Sequence, residues 1–307
     1  MFVYGAQFHR PPNPPRAQRR RDIKNLKKLG FNTVKMWCPW NWLNPAEGVY
    51  DFEELIEIME FAAEEGLKVL VNTVLENAPY WLSDKYPDAL YVNSKGMRME
   101  LQARDNTPTG GWPGLCLDHP GALKHASDFL GAMAKTLGKY DNLLLWDCWS
   151  EPHIEPVSMS HQYGTIEDWL FCYCDHTKAK YRMWLQEKYD TLDGLNEAWF
   201  RKYRDWSEVN PPRLFGGAYP DMINWRRFMA EEIAVQMAWR VEVLKRNDPG
   251  KHPVMSHSSI PYHTQGLGKW GCDDFLLAEK TDKYGLSVFP GWGEKTQEMW
   301  EFMYGLH

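Results

Sequence analysis

The sequence predicts an α/β protein of parallel strands, a (β/α)8 TIM barrel of which about six βα units are present. Three observations carry this reading. Short apolar runs alternate with amphipathic helical stretches along the whole chain. Each run ends in polar or aromatic residues, as strands buried on both faces do when their C-terminal ends open on a site. No linker or low-complexity segment interrupts the alternation, so a single partial-barrel domain over residues 1–307 is expected. An open doubly wound sheet is the alternative. No Gly-rich phosphate fingerprint follows the first strand, which weighs against a dinucleotide fold.

In order, the first strand lies within Met1 to Phe8, and a Pro-rich loop leads to a helix with Ile23, Leu26 and Leu29 on its apolar face. Gly30 ends that helix. Phe31 to Trp37 is the second strand. Asp51 caps a helix that buries Leu55, Ile58, Met59 and Ala62, with Glu54 completing something close to a capping box. Leu67 to Leu75 is the third strand, and a long loop runs from Glu76 to His119. A helix near Ala122–Lys139 precedes the fourth strand, which begins at Leu143. A helical excursion then occupies about 153–210, with helices near Trp169–Tyr189 and Leu192–Phe200. Trp225 to Lys245 is a further helix, and strands at Val254–Ser258 and Tyr284–Phe289 complete the count.

A formal net charge of −6 argues against a nucleic-acid binder, which needs a basic face. The basic run Arg16 to Lys28 reads as a solvated helix face. No stretch of 18 apolar residues is present, so no membrane span is expected. The N-terminus has no apolar signal core, which points to a cytoplasmic protein. The six cysteines are then expected as thiols or metal ligands rather than disulfides. The aromatic content, 16 Trp, 15 Tyr and 13 Phe, suits both a large core and stacking against sugars; the core accounts for most of it.

The stretch most suited to chemistry is Leu143-Leu144-Leu145-Trp146-Asp147-Cys148-Trp149-Ser150-Glu151-Pro152. Glu151 falls at the strand's C-terminal end, and Pro152 stops the strand. A carboxyl walled there by Trp146 and Trp149 is partly desolvated, which suits it to donating a proton. A strand-end Glu that caps a helix or pairs with Arg is the competing reading. Asp147, by strand alternation, is expected to point away from the mouth.

Several segments together resemble the catalytic barrel of family 42 glycoside hydrolases, the microbial β-galactosidases. They are GFNTVKMWCPWNWLNPAEGVYDF from Gly30, EEGLKVLV, PYWLSDKYP, LLLWDCWSEP, the run from Cys172 to Trp199, and INWRRF from Ile223. The resemblance implies a retaining glycosidase acting on β-galactosides or related β-glycosides, with Glu151 as acid/base. It places the nucleophile on a seventh strand, and that carboxylate is expected to be absent from this chain. It implies substrate contacts at Lys35 and Ser150, standing where the family has Arg and Asn, and at Phe289, where it has Tyr. Trp40, Glu76, Arg104 and His153 join the substrate cleft, Glu76 with a structural role as its alternative. Trp42, Trp81 and Trp112 are further candidates to line the sugar site, and His257 is a strand-end polar residue or a cleft residue. The resemblance also implies a structural zinc held by Cys116, Cys172 and Cys174, with His176 as fourth ligand beside Thr177. It implies no organic cofactor, a carbohydrate substrate and a homotrimer. Two other readings compete, a carbohydrate-binding protein that no longer hydrolyses and an inactive fragment of a longer glycosidase.

Overall fold

The computed structural model describes residues 2–104, 107–154, 170–213, 219–259 and 271–287. Six parallel strands form one sheet in the order β1 (Gly5–His9), β2 (Thr33–Pro39), β3 (Lys68–Val74), β6 (Leu143–Ser150), β7 (Val254–Ser259) and β8 (Lys283–Ser287). All six are the runs the sequence marks as strands, shifted by at most a few residues. Helices α1 (Arg16–Lys28), α3 (Glu53–Glu64), α5 (Pro120–Leu137) and α8 (Tyr219–Asn247) run between successive strands. Every neighbouring pair in this sheet is therefore joined by a crossover, and all strand C-termini open on one rim.

The stretch between Glu76 and His119 is not a plain loop. It holds α4 (Tyr80–Lys85) and an antiparallel pair, β4 (Gln102–Arg104) and β5 (Thr107–Trp112). Gly111 sits at φ +77, and a Cβ there would come within 2.3 Å of the Ala78 carbonyl oxygen, so only glycine fits. After β6, α6 (Asp175–Tyr189) and α7 (Leu192–Trp199) form the expected excursion; a short α2 (Trp40–Leu43) follows β2 and a short α9 (Asp274–Ala278) precedes β8.

Helix ends follow simple donors and acceptors. The N-cap of α3 is Phe52 rather than Asp51, and Glu54 pairs with Arg19 instead of closing a capping box; Asp51 Oδ1, one residue further out, still accepts from the Glu53 amide at 3.1 Å. His119 Nδ1 accepts from the amides of Gly121 and Ala122 and caps α5. The basic run on α1 is not merely solvated. Arg16, Arg19 and Arg20 reach Glu53, Glu54, Glu57 and Glu64 on α3, and Arg19 is buried. Ile23 is fully buried on the other face of α1, while Leu29 is exposed.

Aromatic rings supply much of the core. Tyr181 of α6 packs against Trp225 and Phe228 of α8 at centroid distances of 5.0 and 5.2 Å, and Trp225 is fully buried. Each such ring removes about 150–250 Å² from water, worth roughly 4–6 kcal/mol before ordering entropy is counted. Among the described residues no helix is long and apolar enough to cross a membrane.

Candidate active site

Glu151 stands where the sequence places it, on the rim just past β6. Its backbone has φ 52, in the left-handed region, and its amide donates to the His257 carbonyl at 2.9 Å. That bond ties the end of β6 to β7. The side chain is half-buried.

The two tryptophans before it each have a partner on or beyond α8. Trp146 Nε1 donates to Asp248 Oδ2 at 3.0 Å, just beyond α8. Trp149 lies under the Arg240 guanidinium of α8, 3.9 Å from the ring centre. Arg240 also donates to the Cys148 carbonyl at 3.3 Å and to Glu76 Oε1 at 3.0 Å. Arg240 is nearly inaccessible, and Glu76 is held by this buried cation.

Asp147 corrects the expectation from alternation. The pairing of β6 with β7 shifts register between Asp147 and Trp149, so one extra residue bulges the strand. Asp147 and Ser150 consequently both reach the inner face. Asp147, fully buried, accepts from Lys35 Nζ at 2.6 Å, a contact that spans β3 across the concave side of the sheet. His257 Nδ1 is 3.4 Å from the same oxygen, and His257 Nε2 is 3.1 Å from Ser150 Oγ. Lys35 thus spends its charge on Asp147 rather than standing free for a sugar. Burial holds the His257 imidazole below its ordinary value, the Asp147 charge opposing and Lys35 adding to the effect. The signal for this network was present in the sequence as one basic and one acidic residue within apolar strand runs, each needing a partner.

The remaining candidates divide. His153 Nδ1 is 2.5 Å from the Glu151 carbonyl, and with Glu76, Tyr91, Trp149 and Arg240 it lines a small recess behind the rim. Arg104 lies over the Trp112 ring at 4.4 Å. Burial, then the nearby Arg104 charge, lowers the value for Arg10, which covers Trp37 at 4.1 Å. Trp40 is a core residue, not a cleft aromatic: it is fully buried, stacks on Phe129 and donates from Nε1 to Asn44. Trp112 is buried beneath Arg104, and Trp81 donates to the Asn44 carbonyl. Trp42 is exposed and lines a shallow cleft with Asn41, Tyr80 and Trp81. Phe289 lies outside the described residues.

The expected four metal ligands separate into two groups. The sulfurs of Cys116, Cys172 and Cys174 lie within 4.8 Å of one another, all buried. His176 is not with them; its Nε2 is 3.1 Å from Asp88, beside His119. Thr177 lies against the sulfurs instead, its Oγ1 3.3 Å from both Cys116 and Cys174, and it donates to Asp118. The reason is helical geometry. Cys174 is the N-cap of α6 and its sulfur accepts from the Thr177 amide, so the third helical residue folds back over the cap while the second points away. The Asp88–His119–His176 group is a poor alternative for a metal. Capping with Nδ1 fixes the His119 proton on Nε2, the atom that faces Asp88 at 3.4 Å.

Comparison with known proteins follows this geometry. The family model described as β-galactosidase, glycoside hydrolase family 42, matches residues 9–301. The chain is 27% identical over 281 residues to β-galactosidase BgaB of Geobacillus kaustophilus, covering 88% of this chain and 37% of that protein. To β-galactosidase LacZ of Heyndrickxia coagulans it is 28% identical over 302 residues, covering 94% of this chain and 40% of the relative. The chain therefore spans about two fifths of the length of these curated relatives. The crystal structure of β-galactosidase from Bacillus circulans sp. alkalophilus superposes with a TM-score of 0.77 at 23% identity, over 99% of this chain and 42% of that one. That likeness establishes the fold as part of a parallel α/β barrel.

Proposed function

The chain belongs to the family 42 glycoside hydrolases, and from that membership we propose that it forms the acid/base side of a retaining β-galactosidase site, within about six units of an eight-unit barrel. The observation that carries the reading is Glu151, half-buried on the rim and fixed through its own amide to β7. In the first step it protonates the departing glycosidic oxygen while a second carboxylate attacks the anomeric carbon; in the second it takes a proton from water. Ser150 and Lys35 are polar groups of the inner face. The test uses a form of the protein that carries both carboxylates. Proton NMR of the first sugar released from an aryl β-galactoside should show the β-anomer. An initial α-anomer would mean inversion and would remove the reading.

The cysteine cluster is proposed as a structural zinc site, with Cys116, Cys172 and Cys174 as ligands and the Thr177 hydroxyl, backed by Asp118, at the fourth corner. The donor chemistry supports it. Burial pushes the Cys172 thiol up, and hydrogen bonds from Cys172 and Cys174, with burial, do the same for Cys116. Hydrogen bonds from Cys116 and Cys172 pull Cys174 down to about 2. The pocket by itself favours a single thiolate, and three would need a cation among them. When bound, zinc would tie β5 and the turn before α5 to the start of α6. Elemental analysis is expected to give close to one zinc per chain, and Cys172→Ser to lower both occupancy and melting temperature. Melting that is identical with and without chelator would exclude the site.

A further inference from the structure

Two cations reach the indole of Trp37 on the inner face of the sheet. Trp37 lies two residues beyond Lys35 on β2, so alternation turns it to the same face, and Lys35 Nζ is 5.6 Å from its ring centre. The Arg10 guanidinium covers the ring at 4.1 Å, from a tight turn after β1 in which Arg10 and Asn13 exchange backbone hydrogen bonds. Through the strand register Trp37 is level with Asn72 of β3 and Asp147 of β6. Arg10 therefore stands on the β1 side of the rim, three strands from the end of β6 that carries Glu151. The two cations differ in one respect. Lys35 is neutralised by Asp147 at 2.6 Å. Among the described residues no carboxylate pairs with Arg10, and the charge that acts on it is that of Arg104, of like sign.

We propose that Arg10 binds an anionic substituent, a sulfate ester or a carboxylate, on the sugar that occupies the mouth of the sheet. The proposal rests on the glycosidase reading and deepens it by naming the substrate class. A half-buried guanidinium set beside a like charge is costly until an anion completes it. Burial and the Arg104 charge hold the Arg10 value below that of a free guanidinium, and this is the same penalty read as a proton equilibrium. An anion at the group removes it. The indole covers one side of the guanidinium, and its N–H donors, which no acceptor in the described chain takes, are left for a ligand. Two parallel N–H groups match two oxygens of a sulfate or a carboxylate, and such charge-assisted bonds are roughly twice as strong as neutral ones. A neutral sugar hydroxyl takes a single bond and leaves the charge uncompensated. Arg104, over Trp112 at 4.4 Å, adds attraction for the same anion at longer range.

Calorimetric titration of the 307-residue chain with D-galactose, its 3-, 4- and 6-sulfates and D-galacturonic acid reads the preference directly. At least one charged sugar is expected to bind about ten- to hundredfold more tightly than galactose, the worth of a hydrogen bond to a charged group. Whether a sulfate or the uronic acid leads identifies the substituent. The advantage should shrink as ionic strength rises. Arg10→Gln should bring the ratio to about one. Arg10→Lys keeps the charge without the fork and should retain part of it, and it decides the matter where the glutamine variant does not fold. Equal affinity for charged and neutral sugars overturns the proposal, as does a preference that survives in full in either variant. Sodium sulfate that binds as tightly as the best sugar sulfate overturns it too, because the site would then hold an ion without regard to the sugar. Binding of no sugar at all by a folded chain sinks the glycosidase reading itself and the proposal with it.

Discussion

Assayed alone against nitrophenyl β-galactoside and a panel of related aryl β-glycosides, residues 1–307 are expected to release no more nitrophenolate than buffer does. Retaining hydrolysis needs a second carboxylate about 5–5.5 Å from the acid/base, and an inverting route needs one roughly 6.5–9.5 Å away to activate water. Among the described residues, Glu76 follows the neighbouring strand β3 and Asp147 lies on β6 itself, which makes them the carboxylates to weigh as partners of Glu151. Neither is free for the task. Glu76 is held by Arg240, which is itself buried against Trp149, and Asp147 is held between Lys35 and His257. A carboxylate committed to a buried cation loses its freedom of approach. A site with an acid/base and no second carboxylate lacks both the covalent step and an activated water, a deficit of many orders of magnitude in rate. Robust turnover that disappears in Glu76→Gln would show that the third strand supplies the second carboxylate and would overturn this expectation.

In a form of the protein that does turn over, Glu151→Gln is expected to lower kcat/KM for lactose by about 10²–10⁴-fold, the usual contribution of a general acid. Glutamine keeps the shape of the side chain and its place in the backbone but has no acidic proton. A poor leaving group such as a sugar alkoxide needs that proton as the bond breaks. A dinitrophenolate does not, so the first step with the dinitrophenyl galactoside should slow far less. The contrast between substrates separates lost acid catalysis from a damaged fold, which would depress both alike. Unchanged lactose hydrolysis would show that Glu151 is not the acid.

The strands were legible because each is a short apolar run bounded by Gly, Pro or a polar rim, and that pattern has few other solutions. Glu151 was legible for the same reason, as the first acidic residue past such a run. What could not be read was direction. Strict alternation sets Asp147 and Ser150 on opposite faces, and only a bulge, which leaves no mark in a run as apolar as this one, brings them to the same one. Trp40 looked like a sugar platform because aromatic residues on a rim and in a core have the same composition; its burial is set by α5, far away in sequence. The β4–β5 pair was hidden by Gly110 and Gly111, which break the alternation that would have announced it. The choice between His176 and Thr177 turned on a single residue of helical phase, and that phase depended on Cys174 being the cap.

Glu151 occupies a left-handed backbone conformation that disfavours any side chain with a Cβ by about 1–2 kcal/mol. The position thus sets stability against chemistry within one residue. Glycine there would relax the backbone and make the fold more resistant to heat, and it would remove the carboxyl in the same stroke. Laboratory evolution that screened only for thermal tolerance would drift toward that exchange, and the survivors would be sturdier proteins with no acid at the mouth of the sheet.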